Sequence, residues 1–491
     1  MINKENIMKL KNYIITGCGL FAFAASAFAT DYTTTKTING TSETLYGGDT
    51  ISVRSAYGAR VTNGGSLNVL NTDSSGLNIS IGSSGSPMEY NEVSGNVLRA
   101  AVFDNSTLNC GDNFNINIYS NSDNISARGL LAANSTVTMG DNASIELHGI
   151  YGSANSAAIV ANSSVFTIGQ NLTVKADNKG KGIDAQSQSS VTVGIGADIV
   201  AEIGIFARLS SVTMDSATIK GVGENGLGIY LGADANASFT NSTIEGYKNA
   251  IRLQADAQGA GYISGLLTFD GGSVSSQTGT LIVNEFPTSV RDQAIASEII
   301  FKNGAQAVSG NGVLYDSVSI TYVESEIKLT IEGAGTKVDG AVLGANRVVI
   351  MTVSDSATWS STGASVMDKL ILDNANVEFT LTTQGDAITA GDMSTSGMSD
   401  ITIDFSNDFL NEITDGFMFD TDTAIIIGSG EKGNINYIIA GQNKDGSTWD
   451  VTDNHDGTYT ISNINVVPEP ATYAVIFGAM ALALAAYRRR K

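Results

Sequence analysis

The chain has 491 residues, a formal net charge of −22 and two cysteines. Acidity of that size repels nucleic acid and anionic lipid, and two cysteines cannot staple a disulfide scaffold. Charged residues at 15% and apolar ones at 42% exclude a coiled coil and a charge-rich disordered chain, and leave enough apolar surface for a core.

Residues 1–29 read as a secretory signal. Lys9 and Lys11 precede an apolar stretch from Tyr13 to Ala25, and Ala27-Phe28-Ala29 supplies the small-x-small pattern that signal peptidase cuts. Met8 makes a cleaner charged start than Met1, and Cys18 is filler within the apolar stretch. Mature protein then begins at Thr30 with Cys110 as its one cysteine, so stability in an oxidising space must come from burial. Removing residues 1–29 (net +2) and 468–491 (net +3) leaves a body near −27. Such a surface suits divalent cations or cationic polymers, although solubility alone explains it.

Internal repetition carries the fold in residues 30–279. A short strand signature recurs, as in Ser135-Thr136-Val137-Thr138-Met139 and Ser189-Ser190-Val191-Thr192-Val193. Its anchors Leu108, Val137, Val165, Val191, Val212, Phe239 and Leu267 stand 21 to 29 residues apart. Before each anchor comes a run led by a small residue, such as Gly129-Leu130-Leu131, Ala158-Ile159-Val160, Gly182-Ile183-Asp184, Gly204-Ile205-Phe206 and Gly228-Ile229-Tyr230. A third alternating run follows, such as Ala143-Ser144-Ile145-Glu146-Leu147. Three strands per repeat, broken by Gly, Asn, Asp and Ser turns, predict an all-β chain wound into three parallel sheets, a right-handed parallel β-helix or β-solenoid. Asn105, Asn134 and Asn162 precede the serine-led strands, at a corner that requires a residue tolerant of left-handed backbone. A sandwich domain needs about 100 residues and seven strands, which so short a period does not supply.

From about Thr280 the period weakens, and residues 280–465 read as an irregular β-rich continuation and cap. Strand-like runs occur at 296–301, 318–323, 328–331 and 347–353. Thr358-Trp359, Leu370-Ile371-Leu372 and Val377-Glu378-Phe379 follow in order. This order resembles late coils of autotransporter passengers, in which a tryptophan strand precedes Leu-x-Leu and Val-x-Phe strands. The resemblance stops there, because no series of long amphipathic strands ending in an aromatic residue encodes an outer-membrane barrel. Near the end, 447–452 and 458–461 predict a hairpin closed by Asp453-Asn454-His455-Asp456-Gly457, suited to covering the last coil. Its carboxylates do not follow the spacing of an EF-hand loop.

Few residues carry a chemical motif. His148 in Leu147-His148-Gly149 lacks the first glycine of the Gly-His-Gly segment that solenoid hydrolases resemble one another in, and His455 lies in the hairpin turn. Asp215 and Asp270 each end a strand at a turn, where aspartate is favoured structurally. No phosphate loop, no Cys/His set with metal spacing and no Gly-x-Ser-x-Gly elbow is visible, so no catalytic residue, metal or cofactor is assigned. Two carboxylates on neighbouring coils could still meet without a linear motif.

Residues 466–491 form a separate unit. Val467-Pro468-Glu469-Pro470 is followed by an uncharged run, 471–487, and then by Arg488, Arg489, Arg490 and Lys491. As a helix rising ~1.5 Å per residue the run reaches ~25 Å, the short end of a bilayer core, so a single transmembrane helix is predicted. The four cations hold its end in the cytoplasm, and Tyr473 and Tyr487 sit where interfacial rings are favoured. Pro468 and Pro470 keep the preceding chain extended. This order resembles the PEP-CTERM sorting signal of Gram-negative bacteria. That resemblance implies a membrane exosortase as partner, cutting near Pro468, Glu469 and Pro470 and passing the protein to the cell envelope or extracellular matrix. Together the segments predict an exported protein, held first in the inner membrane, with a structural or adhesive role toward polysaccharide or another glycan. The alternative is a surface-displayed polysaccharide lyase or glycoside hydrolase of the β-helix type.

Overall fold

A computed structural model describes residues 29–70, 75–152, 155–177, 179–232, 234–254, 264–285, 295–317, 325–344, 348–430, 433–440 and 448–465. Ala29 is its first residue, so Ala27, the run 318–323 and the whole sorting segment with Pro468, Glu469, Pro470, Arg488, Arg489, Arg490 and Lys491 lie outside the described residues. Among the described residues no helix is long and apolar enough to cross a membrane.

Parallel strands stack coil upon coil into a nearly closed solenoid. One coil comprises Asn115–Ser122, Ser126–Ala133 and Thr136–Met139. The first of these belongs to a 16-stranded sheet, the first ladder. The other two belong to a 27-stranded sheet that carries a second and a third ladder. Strands about 4.8 Å apart make sixteen rungs roughly 70 Å long.

Alternation drives the winding. In Thr136–Met139 the threonines face out while Val137 and Met139 are buried, and the same order recurs along each ladder. Ile116, Ile145, Val174, Ile199, Ile219 and Ile244 stack in register inside the first ladder. Phe239, Phe269 and Phe301 stack inside the third, with ring centroids 5.8 and 5.1 Å apart. Burial of one such side chain stabilises by about 1.5–3 kcal/mol.

The small residue that leads each second-ladder strand has a steric cause. A Cβ on Gly182 would lie 2.5 Å from Ile199 Cγ2 and 2.6 Å from the Gly204 carbonyl oxygen. The first ladder's isoleucines press on this corner, so side chains larger than a methyl are excluded, and at Gly182 even a methyl forces a shift, although Ala158 occupies the equivalent place one coil earlier.

The corner into the third ladder is held by serines. Ser135 Oγ accepts from the Ser106 N–H at 3.0 Å and donates to the Ala133 carbonyl at 2.6 Å. Ser164, Ser189 and Ser210 repeat this in the coils that follow. Each hydroxyl satisfies a buried amide that the bend removes from the ladder.

This column corrects two anchors. Ser164 aligns with Ser135, so Phe166 stacks on Val137 and Val165 points out, 49% exposed. Adjacent Ser-Ser and Val-Phe pairs make the slip by one residue invisible to pattern matching. Likewise Ala237 stacks on Val212, and Phe239 stacks on Met214. Asn105 and Asn134 have positive φ as expected, but the third position is Ser163 (φ 49°), while Asn162 ends its strand.

Both sheets continue across residue 280. At Ser365–Asp373 the second and third ladders fuse: Val366 pairs with Leu343 of the second, and residues 369–373 pair with residues 350–354 of the third. Trp359 is fully buried beside this fusion and donates its indole N–H to the Gly340 carbonyl at 3.0 Å. It stacks in register on Val377. The far end is covered by an antiparallel sheet of Phe417–Asp420, Thr448–Asp453 and Thr458–Asn465. Phe409, Phe419 and Trp449 close on Phe405 at 4.9, 5.3 and 5.6 Å.

Candidate functional site

The motif-bearing residues divide between turns and one cluster. His455 has positive φ in the hairpin turn and lies 3.4 Å from Asp453 Oδ2. Asp215 accepts from the Ser216 hydroxyl, and Asp270 accepts from Asn303 Nδ2 at 2.7 Å. These three shape the turns that hold them.

His148 stands instead in mid-strand on the outer surface of the first ladder. Its ring stacks on Tyr119 of the preceding coil at 4.6 Å. Nδ1 lies 3.2 Å from Asp177 Oδ2, Nε2 lies 3.1 Å from Asn117 Oδ1, and Glu146 stands 3.5 Å away. Two coils thus supply a histidine and two carboxylates, and a third supplies Asn117 and Tyr119, an arrangement that no linear motif announces. Asp177 also borders a cavity of about 380 Å³ whose walls include Lys179, Glu202, Val222, Glu224 and Asn225. Both ring nitrogens of His148 are engaged within the cluster, which holds the ring in place. Among the described residues no group of three or more His, Cys, Asp or Glu side chains converges as metal ligands would.

A larger constellation lies on the outer surface of the second ladder. Eight successive rungs pair in register from Tyr57–Thr62 to Asn249–Gln254, and six of them carry an outward cation: Arg60, Arg99, Arg128, Lys181, Arg208 and Arg252. Five of the eight arginines in residues 30–465 are in this set. Tyr57 lies between two of them, with Arg60 and Arg99 5.5 and 5.4 Å from its ring centre and Arg99 donating to its hydroxyl at 3.0 Å. Among the described residues no carboxylate lies within ion-pair distance of Arg60, Arg99 or Arg128. Burial, and then the Arg99 charge one rung away, hold the Arg128 guanidinium below its ordinary value.

The far half of this surface is aromatic and internally paired. Phe206 and Tyr230 stack at 4.7 Å, with Lys181 Nζ 4.0 Å from the Phe206 centroid and Arg252 5.3 Å from that of Tyr230. Lys181 and Gln186 both bind the buried Asp184 carboxylate at 2.6 Å, and Arg252 pairs with Glu285.

The linear reading named Asp184, Phe206 and Tyr230 only as strand residues and none of the cations. A signal was nonetheless present: the residue before the leading Gly or Ala, and the residue two after it, face outward. Arg99, Arg128 and Lys181 take the first position; Arg60, Asp184, Phe206, Tyr230 and Arg252 take the second.

The chain matches no protein-family model and no curated protein.

Proposed function

We propose that this chain is an exported solenoid, sorted to the cell envelope or extracellular matrix of a Gram-negative bacterium, where it has a structural or adhesive role toward glycan. In this reading the coils wind right-handed, as parallel crossovers nearly always do. Signal peptidase removes residues 1–29 after Ala29, and an exosortase-like enzyme acts at Pro468, Glu469 and Pro470 while the basic end holds the inner membrane. The observation that supports a structural role above all is the rod itself. Its core is one continuous cluster from Ile38 to Ile461, its corners satisfy their own amides, and its end is plugged by aromatic rings. Such a body presents long faces at fixed spacing without needing a partner to fold. Replacing Pro468, Glu469 and Pro470 with alanine tests the sorting half. Full-length precursor should then accumulate in the inner membrane; unchanged processing and location would refute it. Loss of matrix cohesion or surface attachment on deleting the gene tests the role.

A polysaccharide-degrading activity is the second reading, favoured by Glu146, His148 and Asp177 converging beside a cavity. Incubation with acidic polysaccharides, read as unsaturated or reducing ends, separates the two. Turnover abolished by Asp177→Asn would displace the structural reading.

A further inference from the structure

We infer that the outer surface of the second ladder binds an anionic polysaccharide chain lying along the solenoid axis, with its acid groups on Arg60, Arg99 and Arg128. The inference rests on the glycan-directed reading above and names the ligand class and surface. Its first support is charge placement. In a chain of net −22, three arginines occupy three adjacent rungs with no carboxylate in ion-pair reach among the described residues. Like charges so placed repel one another, and burial together with the Arg99 charge holds the Arg128 guanidinium below its ordinary value. An approaching line of anions relieves that repulsion. Guanidinium forks suit carboxylate and sulfate oxygens, and rungs about 4.8 Å apart repeat on the scale of one sugar residue.

The second support is the aromatic half. Phe206 and Tyr230 lie three and four rungs beyond Arg128 on the same surface; their faces are covered by each other, Lys181 and Arg252, and their ring edges offer apolar contact to sugar C–H groups. Gln186 and Gln254, one rung to either side of this pair, add polar groups for hydroxyls. Duplex DNA is the rival polyanion, but its dense backbone charge would meet strong repulsion from the rest of this acidic molecule.

Affinity electrophoresis of the full-length protein in mild detergent tests this, using polygalacturonate, neutral dextran and duplex DNA as probes at low ionic strength. Polygalacturonate should retard the protein and dextran should not, with the effect fading as salt is raised. The triple variant Arg60→Ala, Arg99→Ala, Arg128→Ala should bind at least about tenfold more weakly, a loss expected when charge-assisted contacts are removed together. The corresponding triple lysine variant should keep part of the affinity. The pair Phe206→Ala, Tyr230→Ala should lose about threefold. Thr138→Ala, Thr167→Ala, Thr192→Ala on the third ladder should change nothing. Far-UV circular dichroism confirms that each variant keeps its β spectrum. Absence of polygalacturonate binding, unchanged binding by a folded triple variant, or tighter binding of DNA would each overturn the inference. Mislocalisation and attachment phenotypes would be untouched by those results, so the wider functional reading fails or stands separately.

Discussion

The second and third ladders share coils, core and register, yet their outer surfaces differ. Across the same eight rungs the third ladder shows Asn68, Asn109, Thr138, Thr167, Thr192, Thr213, Ser238 and Thr268, a row with no charge. The second shows six cations, two stacked rings and Asp184. β-branched and short polar side chains satisfy a pleated surface locally. Arginines in adjacent rungs find hydrogen bonds but, among the described residues, no carboxylate in ion-pair reach, and they add mutual repulsion. The contrast teaches that the third ladder's exterior is arranged for the fold, while the second ladder's exterior carries a cost that a ligand would offset.

Substitutions can break or sharpen that comparison. The largest effect belongs to the shared core: Phe269→Ala should lower stability to urea by about 3–5 kcal/mol, since it opens the stacked column on both sides. Next come the two corners. Ser164→Ala leaves the Ser135 amide buried without its acceptor and should cost about 1–3 kcal/mol. Gly182→Ala drives a methyl into Ile199 and should cost a similar ~1–3 kcal/mol.

Cys110 gives an independent readout of third-ladder opening. Burial pushes its thiol up to about 12, so it should resist iodoacetamide at pH 8 in the native protein. Ser135→Ala should speed that alkylation and Arg99→Gln should not. Because the folded state keeps this proton longer than the unfolded one, the thiol's stabilising contribution is full below about pH 9 and falls as pH rises toward 12. The smallest effects lie outside. Arg99→Gln and Thr192→Val should each change stability by less than about 0.5 kcal/mol. A large loss for Arg99→Gln would show that the second-ladder surface is built for the fold after all.

Much of this architecture was legible in the linear pattern. The recurring Ser-x-Val runs, the small-residue leads and the asparagine corners reported a three-strand solenoid because each coil must repeat the same bends. Precise register was not legible at Val165, where two adjacent serines and two adjacent apolar residues leave the phase ambiguous. Only the hydrogen bond from the Ser135 amide to Ser164 resolves it. The cluster around His148 was likewise out of reach, since its members come from three coils and their spacing depends on loop lengths between them.

Composition and periodicity by themselves determined that this chain winds into a solenoid with a dry core, because burial of alternate side chains is a local property of each strand. Net charge, read along the chain, argued against nucleic acid and anionic lipid. Tertiary structure gathers the scattered cations on one surface. Stacking carries residues 22 to 42 positions apart to within one rung, so cations that look scattered in sequence become a single stripe on an acidic molecule.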